Sequence, residues 1–298
     1  MTSTAELISD VESHLLGGDR DEQNRLTNSI TDTDVSVTFD FSTGGITQGA
    51  YVCVDLEVMY VWQMDATSRT ATVQRGMLGS IPAAHDGGTV AYVNPLFSKW
   101  SIFKALNVEI ADMSSADNGL FQVKDFELTT QPVQKSYTVP SANLDLMNVL
   151  EIRWFEPGVE KLFPVIKRRE YQVVRNLNNR DSNETGLSIR IERSMTPGRA
   201  LIVRYAAGFS LLTAIDDDVS AITGLGESMV DIPPLGAAAR LMGVREAKRS
   251  LVERAVNSRR AQEVPPGSSA RAAGVLLQLH DRRIKDEAAK LKRLWPLI

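Results

Sequence analysis

The spacing of apolar residues changes along the chain, and each change marks a new element. Leu7, Val11 and Leu15 fall on one face of a helix expected over Thr4 to Leu16, which Gly17 and Gly18 stop. A helix of that size is not stable alone, so it must dock on the body or on a neighbouring subunit. Asp19 to Asn28 is expected to add a very polar turn or two, completing an N-terminal helical segment over residues 1–30. From Asp34 the period drops to two: Val35, Val37, Phe39 and Phe41 alternate with polar residues, as in a half-buried strand. Gly44 and Gly45 turn that strand. The apolar run Ala50 to Gln63, then Arg69 to Arg75 and Thr89 to Val93, continue the pattern, with Gly76, Gly79, Gly87 and Gly88 as punctuation. Residues 31–95 therefore predict a small antiparallel barrel or sandwich.

Asn94-Pro95 closes that unit. Over residues 96–119 a helix is expected from Leu96 to Met113, with Trp100, Phe103, Leu106 and Ile110 on its buried face, then a loop from Ser114 to Gly119. A second β-sandwich is expected over 120–208. Its strongest strands are Val149 to Phe155, Lys161 to Val174, Leu187 to Arg193 and Arg199 to Ala206, with an exposed loop at Asn176 to Gly186. Residues 209–232 have little period and read as a linker.

The last third, residues 233–298, predicts two helices, Leu235 to Gln262 and Ser269 to Arg293. Val264-Pro265-Pro266-Gly267 must separate them, because proline lacks the amide hydrogen and clashes with the preceding turn. In the second helix Leu277, Ile284, Ala288, Leu291 and Trp295 share one stripe. The predicted class is α+β: antiparallel barrel or sandwich regions, a short N-terminal helix and a C-terminal helical hairpin.

Charge changes this picture. Residues 233–298 hold 14 Lys+Arg against 6 Asp+Glu, a net of +8, in a chain whose net is −4. Residues 1–232 therefore hold 19 against 31, a net of −12. An acidic body with a basic helical end points to charged partners; the plainer reading is two solvated helices closing a domain.

With 43% apolar residues the chain can build a real core. Cys53 is the single cysteine, which excludes an intramolecular disulfide and reads as a small core residue. No unbroken apolar run reaches membrane-spanning length, and the N-terminus has neither the basic start nor the apolar run of a signal peptide, so synthesis and folding in a cytoplasm are expected. The histidines, His14, His85 and His280, have no metal-ligand spacing among them. His85-Asp86 resembles a base with its orienter, but adjacent side chains point apart and no nucleophile elbow is present. His280 reads as a packed interface residue. Asp216-Asp217-Asp218 lacks the glycine and terminal glutamate of a calcium loop and reads as a capping cluster; Gly224-Leu225-Gly226 lacks the third glycine and lysine of a phosphate loop. No catalytic residue, metal or cofactor is expected.

Two stretches carry a resemblance. Val73-Gln74-Arg75-Gly76-Met77-Leu78-Gly79-Ser80, continued by Ala83-Ala84-His85-Asp86-Gly87-Gly88-Thr89-Val90, resembles a segment of β-rich virion proteins of tailed bacteriophages. Ser80 stands where threonine is commoner. Gly224 to Ser228, Asp231 to Leu241 and Glu263 to Gly267 resemble the C-terminal part of structural proteins from phages of actinobacteria. The resemblance implies a head-to-tail connector (adaptor) of a siphophage neck: a homo-oligomeric ring, commonly dodecameric, between the portal protein and a downstream stopper or tail-completion protein. It would be made in the host cytoplasm and built into the virion.

On that reading Arg240, Arg245, Arg249, Arg259, Arg260, Leu277, Arg282, Arg283, Ile284, Leu291 and Trp295 are the candidates for contact with the portal or a neighbouring subunit. The acidic body would line the channel and let genomic DNA pass without sticking; no membrane partner is expected. The alternative position is a tail-tip or baseplate protein with a β-sandwich contact surface. Two other classes compete. An enzyme such as a cell-wall hydrolase needs a convergent cluster. A DNA-binding module would lose affinity steeply with salt and track Arg259, Arg260, Arg282 and Arg283.

Overall fold

The computed structural model describes residues 2–16, 21–155, 165–175, 186–193, 196–255 and 268–295. The chain divides into two compact units. One comprises Met1–Ile110 with Leu211–Arg283, the other Ala111–Ser210 with Ile284–Ile298.

The first unit opens with helix α1 (Thr4–Leu16). A capping box starts it: Glu6 N–H donates to Ser3 Oγ at 3.2 Å, and Ser3 N–H donates to Glu6 Oε2 at 2.9 Å. Leu7, Ile8, Val11 and Leu15 are buried. The stretch expected as a polar helical extension instead contains strand β1 (Glu22–Arg25). The reason is Asn24, which is buried and whose side chain donates to the carbonyls of Phe41 and Ser42 and accepts from Phe41 N–H. Strands β2 (Ser36–Thr38), β3 (Tyr51–Val54), β4 (Glu57–Asp65), β5 (Thr70–Gln74) and β6 (Val90–Val93) follow. The run Ala50–Gln63 is thus a hairpin, turned at Asp55-Leu56 between β3 and β4.

These strands form one antiparallel sheet of order β1-β6-β3-β4-β5-β2. Where a barrel or sandwich was expected, the described residues form this single sheet, which does not close into a barrel. The outer strands meet only beyond their ends, at an isolated Leu26–Phe39 bridge flanked by Thr27 N–H to Thr38 O (2.9 Å) and Asp40 N–H to Arg25 O (3.0 Å). Edge strands of four and three residues are too short for a continuous ladder. Leu26, Val37, Phe39, Val52, Met59, Val61, Val73 and Ala91 fill the interior.

Helix α2 (Lys99–Met113) buries Ile102, Phe103, Leu106 and Ile110, beginning later than the expected Leu96. The stretch expected as a linker holds a short helix α3 (Val219–Thr223) and a 3-10 turn at Glu227–Met229. Asp218 is the N-cap of α3, accepting from Ser220 and Ala221 N–H, and Gly224 ends it at φ 77°. Helix α4 (Ile232–Ala255) starts before the expected Leu235 and takes Pro233 and Pro234 into its first turn, where no amide hydrogen is needed. Ala237 and Ala238 near its start are buried, and α1 packs on this helix. Helix α5 (Ser268–Leu294) passes the start of α4, with His280 beside Gly236 and Arg283 beside Asp231.

The second unit carries β7 (Gln122–Thr129), β8 (Ser136–Thr138), β9 (Leu146–Phe155), β10 (Tyr171–Arg175), β11 (Leu187–Ile191) and β12 (Ala200–Ala207). Two antiparallel sheets, β10-β11-β8 and β7-β12-β9, share a core that includes Tyr137, Val149, Ile152, Ile189, Leu201, Val203 and Tyr205. β7 and β8 were not among the expected strands. Of the expected strand Lys161–Val174, residues 161–164 lie outside the described residues, as does the loop from 176 to 185.

Candidate functional site

Two clusters, each built around a buried carboxylate, organise the first unit. The β3–β4 turn sets Asp55 and Glu57 side by side on the sheet, and Arg75 follows directly on β5. The chain returns from the following loop at His85, whose backbone pairs with Ile30 in both directions at 2.9 Å. The Glu57 carboxylate accepts Arg75 Nε at 2.7 Å, Arg75 Nη2 at 2.7 Å, Gly76 N–H at 3.2 Å, Ala83 N–H at 3.1 Å and His85 Nε2 at 3.0 Å. His85 Nδ1 lies 2.9 Å from Asp55, not from the neighbouring Asp86. Asp55 is 39% exposed at its side chain, whereas Glu57, Arg75 and His85 are buried.

Burial alone would raise the Glu57 pKa, but hydrogen bonds from Arg75, His85 and the Ala83 amide hold it at about 2. Burial would likewise lower that of His85, and bonding to Asp55 and Glu57 instead raises it to about 9. At neutral pH the ring is therefore an imidazolium donating from both nitrogens. It has no free lone pair, so it cannot act as a general base there. Two cations face two anions, and the arrangement clamps the loop to the sheet.

The clamped loop is strained. Gly76, Leu78 and Gly79 all have left-handed backbone, at φ 64°, 56° and 80°. For Leu78 this costs on the order of 1 kcal/mol. The surroundings impose it: Ser80 Oγ accepts Val58 N–H at 3.0 Å, and Leu78 O accepts Trp100 Nε1 at 3.2 Å and Lys104 Nζ at 3.5 Å.

The second cluster joins three helices. Arg240 on α4 grips Glu109 on α2 through Nε at 2.7 Å and Nη2 at 2.6 Å. His280 on α5 is buried with Nε2 3.4 Å from the other Glu109 oxygen. Gly236 is what makes room, since a Cβ there would run into Glu109 Oε2 and lie 2.9 Å from His280 Nε2. Arg283 pairs with Asp231 (2.8 and 3.0 Å) and donates to Ser228 O at 2.7 Å.

The candidate contact residues therefore divide. Arg240 and Arg283 make ion pairs within their own chain, and Arg282 is exposed. The backbone of Arg245 and Arg249 lies in α4 while their side chains, and Arg259 and Arg260 entirely, lie outside the described residues. On the stripe of α5, Ile284 and Ala288 are buried, Leu291 and Trp295 half-buried, and Leu277 is 51% exposed. The opposite side of α5 carries exposed Val275 and Leu279, one turn apart, bracketed by exposed Arg271 and Arg282.

Acidity is not spread evenly over the β-rich part. Residues 1–110 hold 6 Lys+Arg against 14 Asp+Glu, and 211–232 hold none against 5. Residues 111–210 hold 13 against 12, so the second β region is close to neutral. In the acidic stretch Asp217 accepts Thr213 and Ala214 N–H at 2.7 Å each, and with Asp218 on α3 it does capping work. Cys53 is buried and free, and burial pushes its thiol up to about 12. Among the described residues no group of His, Cys, Asp and Glu is placed to hold a metal ion, and no helix is long and apolar enough to cross a membrane.

No family model matches the chain, and no curated protein does.

The sequence had flagged Arg75 and His85 without their anchor. Glu57 was hidden inside an apolar strand, where a lone carboxylate that stays buried must find cations. Glu109 gave the same signal, an acid beside Ile110 on the buried side of α2.

Proposed function

We propose that this chain is a structural protein of a tailed-bacteriophage virion, a head-to-tail connector whose copies form a ring between portal and tail through which DNA passes. The observation that carries this reading is α5. Its apolar stripe runs on from the buried Ile284 and Ala288 to the uncovered Leu277, and its other side adds Val275 and Leu279 among arginines. Such a helix offers more apolar surface than its own chain covers, within a segment of net +8. The resemblance carried by Val73–Ser80 with Ala83–Val90, and by Gly224–Ser228, Asp231–Leu241 and Glu263–Gly267, supplies the phage context. The work done by Arg75 and His85 fits a passive scaffold, since they lock a loop and hold no reactive group in a free state.

The test is direct. Labelled full-length chain should appear in purified particles as a ring at the neck, and Leu277→Asp protein should load onto portal-containing heads at least about tenfold less well while unfolding at an unchanged temperature. Label at the distal tail tip, or normal loading of the variant, would refute the assignment.

A further inference from the structure

We infer that the loop Gly76–Pro82 of one copy docks on the outer stripe of α5 in a second copy, a contact that rests on the ring reading and names its subunit interface. Leu78 and Ile81 are 58% and 74% exposed, on a loop held rigid against local strain. A loop anchored this firmly loses little further freedom when it binds. Its base is acidic. Arg75 Nη1 donates to Thr31 O and Asp34 O, which brings the exposed Asp32 and Asp34 to the loop's start, and exposed Asp86 stands at its end. The stripe on α5 has the opposite character, with Val275 and Leu279 between Arg271 and Arg282. Each patch presents an apolar pair; Asp32, Asp34 and Asp86 flank the loop, with Lys104 reaching Leu78 O, and Arg271 and Arg282 flank the α5 pair, with Asp286 one turn beyond, so the prevailing charges are of opposite sign.

Both patches lie on the same chain and differ from each other. Contact between copies is therefore head-to-tail, the type that closes into a ring when the rotation permits. Charge complementarity makes a second copy the occupant.

Sedimentation velocity of the full chain in low salt tests this. Wild-type protein should self-associate at concentrations up to about 0.1 mM. Leu78→Asp, Arg282→Glu and Asp86→Lys should each weaken association by about tenfold or more, and Arg282→Glu combined with Asp86→Lys should recover most of the loss. Leu78→Gly, which suits the left-handed backbone, should weaken association without unfolding the loop. Association that survives all of these variants, or wild-type protein that stays monomeric, overturns the interface. Neither result decides where the chain sits in the particle, which the labelling experiment reads separately.

Discussion

Replacing Glu57 by glutamine keeps the shape of the buried side chain and removes its charge. In the wild-type protein one carboxylate oxygen faces Arg75 Nη2, Ala83 N–H and His85 Nε2, and the other faces Arg75 Nε and Gly76 N–H. An amide nitrogen in either position meets only donors. At least two buried N–H groups lose their acceptor, and Arg75 and His85 lose a compensating anion. Breaking a buried charge pair from one side costs about 3–5 kcal/mol. Set against the 5–15 kcal/mol that typically holds a domain together, this is a large fraction. The apparent melting temperature should fall by roughly 6–20 °C. Urea unfolding followed by circular dichroism at pH 6 measures it. The penalty should shrink at pH 9 and above, because a neutral His85 can accept from the new amide. A loss below about 1 kcal/mol at pH 6 would refute the view that this cluster holds the loop.

Two further predictions come from the same clusters. His85 is raised from 6.5 to about 9 on folding, so its contribution is complete below pH 6.5 and disappears as pH rises through 9. Glu57 is lowered from 4.5 to about 2, so its contribution is complete above pH 4.5 and disappears as pH falls through 2. Wild-type stability should therefore drop by about 3 kcal/mol between pH 6.5 and 9, read from urea midpoints, and a flat profile would contradict the imidazolium. At Gly236, alanine gains about 1 kcal/mol of helix propensity but drives a methyl into a carboxylate that Arg240 holds in place, costing roughly 1–3 kcal/mol. Gly236→Ala should be net destabilising in thermal unfolding; a stabilised variant would show that Glu109 gives way freely.

The α+β class was legible because long periodic segments dominate it. The stripe of α1, the alternation in β5 and β6, and the apolar face of α2 each state their own structure. Where the sequence misled, a tertiary contact overrode the local pattern. Residues 22–25 look like polar helix, yet Asn24 finds carbonyl partners that only a strand at that edge provides. Asp216-Asp217-Asp218 announced a cap, but nothing local announced that α3 would follow in a stretch with no period. Barrel closure depends on how strand number, tilt and stagger combine across the whole sheet, which a residue pattern does not state, and the short edges β1 and β2 leave little ladder to close it. The clusters were half legible: Arg75, His85, Arg240 and His280 stood out, whereas their common acids, Glu57 and Glu109, lay within apolar runs. The grouping of 211–283 with 1–110 was invisible, since it depends on contacts between residues more than a hundred positions apart.

The packing of α1 on α4 sets an order of events at the ribosome. Leu7, Ile8, Val11 and Leu15 emerge more than two hundred residues before α4, the helix on which α1 packs and which begins at Ile232. At roughly 5–20 residues per second the nascent chain carries that greasy face uncovered for about 10–40 s, while both sheets of the second unit have time to assemble. Chaperone engagement during synthesis should therefore centre on Thr4–Leu16 and end when α4 clears the exit tunnel.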